Sequence, residues 1–183
     1  MNLRCLPHQQ LLIVTDHAKV LVISDQKQFA SLQSAHTPDV VVSFDEIGTK
    51  LSNRDVLVCD WPGEYEKSDV SVISTSSGNY VLTLDGRSWL ATTDRDVAKL
   101  DPEAEHLNSV ECLLVWLTDR TKKADVQKVI DHLEPACIVY VVGEDNYGPE
   151  LVPPAPMATS ELALKASDWQ VSTEQALVRT LTA

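Results

Sequence analysis

The 183-residue sequence predicts an α/β (α+β) fold of the αββα kind, two β-sheets packed together and covered by helices. Three observations predict it. Apolar residues fall mostly in short runs rich in Val, Ile and Leu, bounded by turn residues. Stretches with helical spacing are few. In the second half, one such stretch lies between two continuous apolar runs, the pattern of a crossover joining parallel strands. The chain is long enough for one sizeable core and shows neither linker nor internal repeat, so it reads as a single domain over 1–183.

The elements follow in order. Residues 11–14 and 20–23 flank Thr15-Asp-His-Ala-Lys19 and read as a hairpin. Two valine-rich runs, 40–42 and 56–58, come next, each preceded by Asp. Residues 70–73, 80–84 and 89–91 follow, the last two runs separated by Asp85-Gly86, a dipeptide that accepts positive φ and marks a tight hairpin. After Asp94 the pattern changes. Residues 112–116 are apolar throughout, as in a strand buried on both faces. Val126, Val129, Ile130 and Leu133 recur at helical spacing over 124–133, and Pro135 marks the stop, because a proline pushes the preceding residue out of the helical region. Residues 137–142 form a second buried strand, and the strand–helix–strand unit is expected to be right-handed. Residues 144–159, with Pro149, Pro153, Pro154 and Pro156, read as an extended loop. Residues 161–165 and 176–181 read as two closing strands.

Composition excludes several function classes. Lys+Arg number 15 against Asp+Glu 27, a formal net charge of -12. Such a chain repels phosphate backbones at long range, which argues against nucleic-acid or anionic-membrane partners but not against a small anion in a local pocket. The N-terminus lacks the basic start and apolar core of a signal peptide, and no apolar run is long enough to span a bilayer. Cys5, Cys59, Cys112 and Cys137 are far apart with no Cys-x-x-Cys pair, and read as reduced, buried thiols of a cytoplasmic protein. No nucleophile elbow and no phosphate-binding glycine pattern occurs.

Several segments carry a resemblance. Pro62-Gly-Glu-Tyr-Glu66 with Ser68-Asp-Val-Ser-Val-Ile73 is the most specific; Cys5-Leu-Pro-His-Gln-Gln-Leu-Leu-Ile-Val-Thr15, Trp89-Leu-Ala-Thr-Thr-Asp94 and residues 110–142 accompany it. Taken in chain order they resemble the metallo-β-lactamase superfamily, in its lactonase-like branch of Zn-dependent hydrolases, over nearly the whole chain. The resemblance implies a His-x-His-x-Asp-His cluster after the strand at 40–42, holding zinc that lowers the pKa of a bound water to about 7. Here Phe44 and Glu46 stand at the first two His positions, and Gly48 and Thr49 at the Asp and His that follow. The two later His positions meet Ser74-Thr-Ser-Ser77 and Gly143-Glu-Asp145. Asp94 alone matches a ligand position, that of the bridging aspartate. His8 matches a family residue near the site, with Pro7 replacing the usual glycine. A vestigial site of His8, Phe44, Asp45, Glu46, Gly48, Thr49 and Asp94 is therefore expected, with no catalytic residue and no metal.

Each residue also has a plainer reading. Asp45 and Glu46 could share a proton and split their pKa values, but adjacent turn residues usually point apart, and a solvated pair is favoured. Asp94 is either a relic or an N-cap for the segment starting at Asp96, and the cap is favoured. His8 either faces the old pocket or is a hydrogen-bonded core histidine. His17, His36, His106 and His132 show no ligand spacing and read as surface residues. Gly63 reads as a tight-turn residue, and Trp61 as a core anchor rather than an exposed contact.

The expectation is thus a pseudoenzyme that binds a protein partner or a small ligand. The alternative is a hydrolase of esterase or lactonase type, with weak Zn²⁺ or another divalent cation on a site rebuilt from His8, Glu46 and Asp94, or with metal-independent chemistry. A third reading, a homo-oligomer subunit, follows from the habit of relatives to self-associate.

Overall fold

A computed structural model of the chain describes residues 1–24, 37–47, 55–101, 104–143, 159–165 and 176–182. In chain order the strands of the first half are β1 (Asn2–Leu6), β2 (Gln10–Val14), β3 (Lys19–Ile23), β4 (Val40–Ser43), β5 (Leu57–Cys59), β6 (Gly63–Lys67), β7 (Val70–Ser74), β8 (Tyr80–Leu84) and β9 (Arg87–Thr93). Then come β10 (Val110–Leu117), the helix α1 (Lys123–Leu133), β11 (Cys137–Val142), β12 (Glu161–Ala163) and β13 (Leu177–Thr182), with two 3₁₀ turns between β9 and β10.

Two sheets result, ordered β12-β1-β2-β3-β4-β5 and β13-β11-β10-β9-β8-β7-β6. Alternate residues of both point into the space between them, as the period of two dictates. Leu11 and Ile13, Val20 and Val22, and Val40 and Val42 come from the first sheet; Leu82 and Leu84, Trp89 and Ala91, and Leu114 and Trp116 come from the second. The intervening residues of the second sheet, Leu90, Leu113, Val115 and Ile138, meet Val126 and Val129 of α1 and Val97 and Leu107 of the 3₁₀ turns. That is why β11, and β10 from Cys112 on, are apolar throughout: each is covered on both faces. The two-sheet α/β sandwich is as predicted, while among the described residues the helical cover lies on the second sheet only.

Turn chemistry sets the registers. Leu84 pairs with Arg87 across Asp85 (φ 49°) and Gly86 (φ 74°), the two-residue hairpin expected. Lys67 pairs with Val70 across Ser68 (φ 52°) and Asp69 (φ 61°), a second such turn made without glycine. β10 and β11 are parallel across α1, as the crossover requires. The helix ends at Glu134, whose N–H still donates to the Ile130 carbonyl, but at φ 44° and ψ 51° it leaves the helical region through the left-handed one rather than the extended one. The tail strands part company: β12 pairs with β1 in the first sheet, and β13 runs parallel to β11 in the second.

The four cysteines are buried and unbonded, and Cys112 faces Cys137 across the β10–β11 ladder. Burial pushes the Cys5 thiol up to about 11; burial, with the Asp60 charge adding to it, pushes Cys59 to about 12. Gly63 opens β6 rather than sitting in a turn. Trp61 is 56% exposed, against the core position expected, because it lies in the short link by which the chain leaves the first sheet for the second. Residues 144–158 of the expected loop, and His36, lie outside the described residues. Among the described residues no helix is long and apolar enough to cross a membrane.

Candidate functional site

The carboxyl ends of β3, β4, β9 and β10 gather at one side of the sandwich, beside the turn joining β1 to β2. They leave a cavity of about 600 Å³ lined by residues including Gln9, Thr93, Asp94, Arg95, Trp116 and Thr118. Strand ends suit this purpose because side chains beyond the last ladder bond are free to turn inward while the sheet fixes their origin.

Phe44, the first residue after β4, does not point into that cavity as a ligand would. It is 7% exposed and packs edge-on against Tyr80 and Trp116, with ring centroids 5.4 Å and 5.2 Å away. The Tyr80 hydroxyl donates to the Ser43 carbonyl, tying β8 to the end of β4. Burial raises the Tyr80 pKa to about 12, against a lowering by hydrogen bonding with Ser74. Trp116 in turn donates its indole N–H to the Gln9 carbonyl at 2.7 Å, and the Gln9 amide donates to the Leu117 carbonyl at 3.1 Å. These bonds hold the β1–β2 turn, where His8 (φ 67°) and Gln9 (φ 60°) both occupy the left-handed region that costs a side-chain-bearing residue about 1 kcal/mol or more.

The strand-end loop after β9 is polar. Asp94 accepts a hydrogen bond from the Thr118 hydroxyl at 2.5 Å. It is not the N-cap of the following turn: Asp96 occupies that position, and no side-chain bond closes the cap. Asp96 is the residue that sequence reasoning missed. Its carboxylate is 2% exposed and is held by Lys99 Nζ at 2.8 Å, by Arg95 Nη2 at 3.1 Å and by the Thr93 hydroxyl at 2.7 Å. Burial pushes its pKa up, but hydrogen bonds from Lys99, Arg95 and Thr93, with the Arg95 charge, outweigh it and the net shift is downward. The pair of cations one residue before and three residues after Asp96 was the available signal. Gly78, at φ 80°, lets the β7–β8 turn approach this carboxylate; a Cβ there would sit 3.1 Å from it.

The expected site residues thus fall into three groups. Phe44, Asp45 and Asp94 come together around Arg95 and Trp116. Arg95 Nη1 lies 3.5 Å from Asp45 Oδ1, so Asp45 is an ion-pair partner and not half of a proton-sharing pair with the exposed Glu46. His8 is exposed on its turn, and is not the core histidine that one reading offered. Gly48 and Thr49 lie outside the described residues.

Zinc sites in proteins take three or four converging donors, usually His, Cys or carboxylate. Among the described residues no three such side chains are placed to hold a metal ion, and His8, Glu46 and Asp94 form no such group. The donors near the cavity do not fit the metal: among the described residues the Asp94 and Asp96 carboxylates are engaged by Thr118, Arg95 and Lys99, and Phe44, at the position where the resemblance implies the first imidazole, offers no donor.

No protein-family model matches the chain, and no curated protein is similar to it in sequence. Solved structures share its fold. A protein from Thermotoga maritima described as a Zn-dependent hydrolase of the metallo-beta-lactamase superfamily superposes with a TM-score of 0.67 at 14% identity, covering 100% of both chains. A protein described as a metal-dependent hydrolase from Parabacteroides distasonis gives 0.56 at 13% identity, over 98% of this chain and 91% of its own. Igni18, a metallo hydrolase from Ignicoccus hospitalis, gives 0.51 at 10% identity, over 99% and 94%. The chain has the metallo-beta-lactamase fold of these structural neighbours.

Proposed function

We propose that this chain is a non-catalytic protein on the metallo-β-lactamase fold, which uses the cavity at its strand ends to bind a small ligand or a partner segment. One observation carries the reading. The Phe44 ring, at the position where the sequence resemblance implies the first ligand, is locked edge-on between Tyr80 and Trp116. Reopening that position means emptying part of the core, so the loss is built into the packing and is not a matter of a side chain turned aside. Elemental analysis of the purified, dialysed protein, with zinc titration by calorimetry, tests it. No bound metal and no titration heat are expected; one or two metal equivalents per chain would overturn it.

A hydrolase remains the second reading, on the observation that the cavity is open and still presents Asp94. Turnover in an esterase, lactonase and phosphodiesterase screen that Asp94→Asn abolishes would favour it. Activity unchanged by that substitution would trace to a contaminant.

A further inference from the structure

A carboxylate held at 2% exposure needs compensating charge and hydrogen bonds. Asp96 obtains both from Arg95 and Lys99, yet the geometry of Arg95 goes beyond serving Asp96. Its Nε (3.2 Å) and Nη2 (3.1 Å) reach Asp96 Oδ2, while Nη2 also lies 3.3 Å from the Phe44 carbonyl oxygen and Nη1 lies 3.5 Å from Asp45 Oδ1. One guanidinium therefore contacts a buried carboxylate on the loop after β9, and a carbonyl and a half-buried carboxylate on the loop after β4. The first loop leaves one sheet and the second leaves the other. Carboxylate and carbonyl oxygens drawn from two loops are what a hard divalent cation collects in proteins. Here the positive charge arrives on a side chain that is charged at every accessible pH and whose planar fork can meet several oxygens at once.

We infer that the Arg95 guanidinium is the resident cation of the cavity mouth: it bridges the two sheets through Asp96, Asp45 and the Phe44 carbonyl, and keeps divalent ions off those oxygens. The inference rests on the metal-free reading above and extends it from an absence to a replacement. With Asp45 and Asp96 opposite Arg95 and Lys99, the formal charges of these four groups balance without an added ion. A divalent ion could enter only by displacing the fork. Half of Arg95 faces solvent, so the bridge works by geometry and specificity more than by raw ion-pair strength.

Thermal unfolding of the full chain tests the inference. Arg95→Gln keeps most of the bulk and removes the charge. Its Tm is expected to fall by several degrees, and millimolar calcium chloride is expected to restore part of that fall while sodium chloride of equal ionic strength does not. Wild-type Tm should respond equally to the two salts. A variant as stable as wild type and indifferent to calcium would overturn the inference. A second measurement stands even where Arg95→Gln does not fold: calcium titrated into wild type by calorimetry should give no binding heat, and a saturable calcium site would overturn the inference. Failure of the underlying reading is separately visible, since that would appear as zinc retained by wild type through dialysis.

Discussion

The loop after β4 and the loop after β9 meet at one cavity with different chemistry. The first sends an apolar side chain inward: Phe44 is core, and its surroundings are the rings of Tyr80 and Trp116. The second is polar, and its carboxylates are satisfied within the protein, Asp94 by Thr118 and Asp96 by Thr93, Arg95 and Lys99. A binding site can lose an external ligand by filling the space or by satisfying the donors internally. On the proposed function, this molecule does one on each side of the cavity. The difference matters for engineering, because filled space resists reversal more than a rearranged hydrogen bond does.

Four experiments break or sharpen that contrast. Phe44→Ala is expected to have the largest effect, about 3–5 kcal/mol of lost stability by denaturant unfolding, since it empties a buried aromatic site; a cost near zero would mean the ring is not core. Replacing Phe44 and Glu46 by His, Gly48 by Asp and Thr49 by His together should still give no tight zinc binding by calorimetry, because the later ligand positions lack histidine and Phe44 is part of the packing. Asp96→Asn should cost about 1–3 kcal/mol, from a buried charge-assisted network whose cations are themselves half in solvent. Trp61→Ala should stay within about 0.5 kcal/mol of wild type, as an exposed residue outside both loops.

The pH dependence separates the two sides as well. The folded-state pKa of Asp96 is depressed, so its contribution is present above the unfolded value of about 3.9 and is lost as pH falls through the folded one. The folded-state pKa of Tyr80 is raised to about 12, so its contribution is complete below the unfolded value of about 10 and disappears as pH rises toward 12. Denaturation midpoints should thus fall in acid through the polar loop and in alkali through the aromatic one. Asp96→Asn should flatten only the acid limb and Tyr80→Phe only the alkaline limb.

The strands were legible because their period of two and their apolar content are local signals. Residues 112–116 and 137–142 announced doubly covered strands without any partner in view, and Asp85-Gly86 announced its turn. The turn at Ser68-Asp69 gave a weaker sign, since neither residue is glycine although both take positive φ. Of the site, the sequence already shows that Phe44 cannot ligate, whatever surrounds it. The Arg95 bridge was not legible, because Arg95 reaches Asp45 and the Phe44 carbonyl across fifty residues of sequence and from the other sheet. Trp61 misled for a related reason, as large aromatics are usually buried and only the course of the chain between sheets puts this one outside.

The parting of the tail strands bears on how the molecule comes together. β1 has β2 on one side, but its other hydrogen-bonding edge is closed by β12, and β11 is closed by β13. Each sheet therefore waits for a strand from the last quarter of the chain. Pairings of such long sequence separation carry a heavy loop-closure cost before they contribute stability, so folding should be slow for this size, with β1 and β11 each lacking one neighbour until the late strands dock. An open β1 edge on the ribosome is a template for the wrong strand. The same two short strands that finish the sandwich are what guard it during assembly.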